Sequence, residues 1–183
     1  VLIMDIYNKM GLCEERAGNA ADALVYFDFA INMTTGVHTS EETTHWNRSA
    51  AHRAHILGRT YTGADAYDTA AQSAYAANIY SNKANLYYVD AQFQTAMDQC
   101  DLSTSIRVDE LDDAVHGAVG WNYFTKAKSD RALNVVNGVA AGTAGCDSDT
   151  KAMFTAAWDI YAAVLGPRHL HSMAVAKELA TCP

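Results

Sequence analysis

The chain is expected to fold as an all-α protein: an array of about seven or eight helices, partly repeat-like helical hairpins, in a single domain over residues 1–183. Three observations predict this. Apolar residues recur at steps of three and four, as in Ile3, Ile6, Met10, Cys13 and Ala17. There are 33 alanines among 183 residues and only two prolines, a composition that favours helix. No stretch alternates apolar and polar residues for long enough to make a strand.

Taken in order, a first helix is expected over residues 2–17. Gly18-Asn19 breaks it, and Asn19 is placed to start a second helix over 20–33. Thr34-Thr35-Gly36 closes that one. Thr39 and Glu42 have the spacing of a capping box and open a third helix to about Leu57. Residues 65–100 read as a long helical tract with its weakest point at Ser81-Asn82, followed by a loop over 101–107. Asp109 is expected to cap a helix to about Lys128, with shorter helices over 130–140 and 149–165. Gly166-Pro167 is a stop, and a last helix covers 168–180. Small residues let helix axes approach, and the ten Tyr, five Phe and three Trp supply the bulk between them.

Charge excludes whole classes of partner. Lys and Arg total 13 against 21 Asp and Glu, a net charge of -8, which argues against nucleic acid and against an anionic membrane surface. No apolar run reaches the roughly 18–20 residues needed to cross a bilayer. The aromatic content argues against disorder.

The chain opens at Val1 with no charged segment leading an apolar one, so a processed product or excised piece is expected. Asn32-Met33-Thr34 and Asn47-Arg48-Ser49 are glycosylation acceptors by sequence. Cys13, Cys100, Cys146 and Cys182 are an even number of cysteines with no C-x-x-C pair. Two disulfides of undetermined connectivity are expected, the alternative being four buried thiols. Low lysine, the acceptors and the cysteine parity together point to a secreted, periplasmic or cell-surface protein.

Metal chemistry is the sharpest functional signal. Four of seven histidines, His38, His45, His52 and His55, fall close together. On a helix starting near Ser40, Glu41, His45, His52 and His55 lie within about 80° of one another. Trp46, Ala50, Ala54 and Leu57 take the opposite face. Imidazoles with a carboxylate one turn away suit iron or another divalent transition metal. Arg48 and Arg59 share the stripe and oppose a dication. Glu42-Thr43-Thr44-His45 and Asp113-Ala114-Val115-His116 are paired carboxylate-x-x-His units, the second one carbon shorter. With Glu14 or Glu15 and Asp90 they would imitate a ferritin-like two-iron site, although Glu42 also has capping work. His169 and His171 are expected at the surface. No nucleophile elbow, phosphate loop or H-E-x-x-H is present, so a non-enzymatic role is expected.

Two family resemblances follow. Tyr7, Met10, Gly11, Gly18, Ala20, Ala23, Phe27, Ala30 and Ile31 fall at tetratricopeptide offsets, so residues 7–35 resemble one such repeat. A copy over 54–78 is poor. The segment Ala156-Ala157-Trp158-Asp159-Ile160-Tyr161 through Gly166, with Ser172-Met173-Ala174-Val175-Ala176-Lys177, resembles the algal low-iron-inducible periplasmic, or iron-assimilating, proteins. This second resemblance covers about 50 residues and implies an extracellular, largely helical protein associated with iron uptake. It assigns no ligands. The function expected is therefore non-enzymatic capture of iron or another transition metal. The competing expectation is a helical interaction module in an assembly, with Tyr61, Tyr67, Tyr75, Tyr80, Tyr87 and Tyr88 facing a protein partner.

Overall fold

A computed structural model describes residues 2–35, 69–110, 112, 114–139 and 144–182. Among these residues every regular element is helical. Helix α1 is Leu2–Ala17, α2 Ala20–Thr35, α3 Thr69–Val89, α4 Phe93–Ser105, α5 Gly117–Val136, α6 Ser148–Leu165 and α7 Leu170–Leu179, with a π-helical turn, Ile106–Glu110, continuing α4. The all-α expectation holds.

The first two helices form a hairpin whose turn follows from two residues. Gly18 takes φ +83°, which costs a glycine no Cβ clash. Its N–H and that of Asn19 donate to the carbonyls of Glu15 and Glu14, satisfying the end of α1. Asn19 begins α2 through its carbonyl, which accepts from Ala23. Its side chain donates to Glu14 instead of capping.

Helix α3 then packs on both members of the hairpin. Three polar contacts position it: Asn82 to Asn8 at 2.8 Å, Asn85 to Glu15 at 2.7 Å and Lys83 to Asp28 at 2.6 Å. From there each helix packs on the next in chain order, and α3 also touches α5.

Three expected boundaries move. Ser81-Asn82 is helix interior, and the break falls at Asp90–Gln92, where Ala91 has φ 57°. Residues 101–107 are helix and π turn, not loop. Helix α5 starts at Gly117, not Asp109, and runs unbroken through Asp130. One cause links the first two. Ser81 donates to Asn122 Oδ1 at 2.7 Å, Ser103 donates to the Ala77 carbonyl at 2.7 Å, and Asn122 Nδ2 donates to Ser103 at 2.8 Å. Side chains that weaken a helix locally are paired here across three helices.

This polar junction lies among α3, α4 and α5. On one side of it Ala23, Phe27, Ala30, Ile31, Ile79 and Leu86 form an apolar cluster. On the other, Ala127, Cys146, Phe154, Ala157, Tyr161, Val175 and Cys182 form a second, flanked by Trp121, Phe124 and Trp158. Asp147 caps α6, accepting from the Thr150 and Asp149 amides at 2.8 and 3.1 Å. The Thr150 amide holds its carboxyl below the ordinary carboxylate value.

Cys146 and Cys182 form a disulfide, with Cα atoms 5.4 Å apart, tying the start of α6 to the end of α7. The expected second bridge is not formed: Cys13 is an exposed thiol and Cys100 a buried one. Among the described residues no helix is long and apolar enough to cross a membrane.

Candidate functional site

The metal ligands expected from the sequence fall mainly on one segment. Glu41, Glu42, His45, His52 and His55 lie outside the described residues, as do His38, Asn47 and Asp113. His116 is described. It is the N-cap of α5, with extended backbone, and its Nδ1 accepts from the Ala118 amide at 3.0 Å. His116 therefore stands just before the helix and not within one, as its spacing from Asp113 had assumed. Glu14 accepts from Asn19, Glu15 from Asn85 and Asp90 from Gln92, three separate engagements. Among the described residues no group of three or more His, Cys, Asp or Glu is arranged to hold a metal ion.

Asn32 is half-buried on α2. His169 and His171 are exposed, as expected. His169 caps α7 by accepting from the His171 amide, and the two rings come within 5.2 Å. His171 also stacks on Tyr161 at 5.5 Å.

The structure instead assembles a groove of about 580 Å³ from five parts of the chain. Tyr88 comes from the end of α3, Phe93 from the start of α4, and Lys128, Arg131, Ala132, Val135 and Val136 from α5. Ala144 and Glu178 complete it. The turn at Asp90–Gln92 brings Tyr88 and Phe93 together, with ring centroids 6.0 Å apart.

Two cations line this groove, and they differ in their partners. Arg131 is committed: it donates to Glu178 at 2.9 Å, to Thr181 at 3.0 Å and to the Ala144 carbonyl at 3.0 Å. Lys128 has rings about it, its Nζ lying 4.4 Å from the centroid of Tyr88, 4.8 Å from Phe124 and 5.8 Å from Trp121. No carboxylate bonds it among the described residues. Burial lowers the Lys128 pKa from its ordinary 10.5, and the Glu178 charge opposes that shift. Neighbouring Cys100 stays a neutral thiol, pushed up to about 12 chiefly by burial and next by Asp101.

Chemically, a cation over aromatic faces in an apolar-walled groove can bind an anion and cradle an attached apolar body. Of the groove residues only Tyr88 belonged to the tyrosine surface read from the sequence. Tyr61 and Tyr67 lie outside the described residues, and Tyr80 packs against the first apolar cluster. Lys128, Arg131 and Phe93 carry no spacing signal, since separate elements bring them together.

No family model, curated protein or solved structure matches this chain.

Proposed function

We propose that this chain is a non-enzymatic, extracytoplasmic helical protein that captures iron or another divalent transition metal. The observation that carries the reading is the spacing of Glu41, His45, His52 and His55 on one side of the segment that begins near Ser40. Asp113 and His116 are the second carboxylate–imidazole pair of this proposal; His116 Nδ1 is engaged by the Ala118 amide, which leaves Nε2 as its donor to a metal. The Cys146–Cys182 disulfide supports an oxidising compartment. The test is metal analysis of native protein beside a His45→Ala plus His52→Ala variant. Bound metal in the parent and loss in the variant is the expected outcome; a metal-free parent at micromolar supply ends the reading. Acidification should release the metal, since protons compete for the imidazole lone pairs.

A second reading is a tetratricopeptide-like interaction module. It is favoured by the close approach of Gly11 to Phe27, two residues at that repeat's offsets. A partner whose capture survives chelator but falls on Tyr87→Ser plus Tyr88→Ser would select it.

A further inference from the structure

The geometry points to a second binding site, independent of the metal reading: the groove beside Lys128 takes a small organic monoanion with an apolar body, its carboxylate on the Lys128 ammonium. Three observations converge. The groove's volume of about 580 Å³ is that of a small-ligand site. Its walls are apolar or aromatic (Tyr88, Phe93, Ala132, Val135, Val136), suited to an alkyl chain or ring. Its charge is not balanced by bonding. Arg131 and Glu178 neutralise each other at 2.9 Å, Lys126 is paired with Asp101, and the Cys100 thiol is neutral. Of these groups Lys128 has no bonded counter-charge among the described residues, and the Glu178 carboxylate acts on it only through space.

That balance selects the ligand class. One ammonium with no bonded carboxylate among the described residues matches one negative charge, which favours a carboxylate over a phosphomonoester. Arg131 is held by Glu178, Thr181 and the Ala144 carbonyl, so it is not free to form a two-pronged phosphate clamp. Exchanging water for a carboxylate restores to the half-buried ammonium the stabilisation that burial removed.

The experiment is calorimetric titration of the full chain at neutral pH with decanoate and with decanol, which share an alkyl body and differ in charge. Decanoate is expected to bind about tenfold tighter or better. Lys128→Met, which keeps length and apolar bulk, should abolish that advantage while leaving decanol unchanged, with a thermal melt checking the fold. Should Lys128→Met fail to fold, Val136→Glu decides. Val136 is 71% exposed on the rim, and the new carboxylate should weaken decanoate more than decanol. The proposal is overturned by equal binding of the two probes, by binding of neither, by equal losses in Lys128→Met, or by an unchanged preference in Val136→Glu. Binding of an acidic apolar peptide without decanoate also overturns it, in favour of a protein partner.

Discussion

Phe27 of α2 sits directly on the bare backbone of Gly11 in α1: a Cβ built on Gly11 would stand 2.5 Å from Phe27 Cε1. Phe27 is fully buried, so the ring has nowhere to retreat. Gly11→Leu should therefore destabilise the fold by about 2 kcal/mol, a fall of roughly 4–8 °C in melting temperature. Gly117→Ala is the control. Nothing lies within 4 Å of a Cβ there, so the melt should hold or rise.

The Ser81–Ser103–Asn122 junction predicts a different penalty. Asn122 is 1% exposed and links both serines and Thr104. Asn122→Ala removes the buried amide that joins Ser81, Ser103 and Thr104, leaving Ser81 only the Ala77 carbonyl and Ser103 as partners. A loss of about 2 kcal/mol in urea unfolding is expected. A loss indistinguishable from that of an exposed control such as Asn137→Ala would refute the network's role.

The disulfide count is open to mass measurement. Reduction should add one pair of hydrogens, from Cys146–Cys182; two pairs would show that Cys13 and Cys100 are also joined. With the bridged positions 36 apart in sequence, reduction should cost about 3–4 kcal/mol through unfolded-state entropy.

Alkylation should separate the two thiols. Thiolate is the reactive form, and Cys100 is buried with a pKa of about 12. Iodoacetamide on the folded protein is expected to label Cys13 and spare Cys100 until denaturant is added. Equal labelling in the native state would contradict the packing of α4 on α5.

Lys128 carries a pH signature with a definite sign. Its pKa is lowered in the fold from 10.5, so between the folded and unfolded values the unfolded chain binds more protons. Stability from this group therefore rises as pH climbs through the folded value toward 10.5, and is penalised below it. Urea unfolding across that window should show the parent's stability rising relative to that of Lys128→Met, since every other titrating group is common to both. Coincident profiles would sink the argument.

How far these features were readable depends on the range of the forces behind them. The α1–α2 hairpin was legible nearly to the residue because its determinants, Gly18 and the period of three and four, are local. Ser81-Asn82 and Asp101 to Ser105 were misread because their hydroxyl and amide groups look helix-breaking until their distant partners are known. His116 was misplaced because the helix was expected to open at Asp109, whereas it opens at Gly117. The groove was nearly invisible: Tyr88, Lys128 and Glu178 are far apart in sequence, and no period relates them.

By itself, then, the sequence determined the helical class, the net acidic charge, and the close spacing of His45, His52 and His55 along the chain. These follow from composition and from intervals of one or two turns. Tertiary structure alone decided which cysteines meet, which polar side chains are paired inside, and which cation is left beside aromatic rings. Those outcomes depend on how helices remote in the chain are set against one another, and that is fixed by packing and desolvation rather than by neighbouring residues.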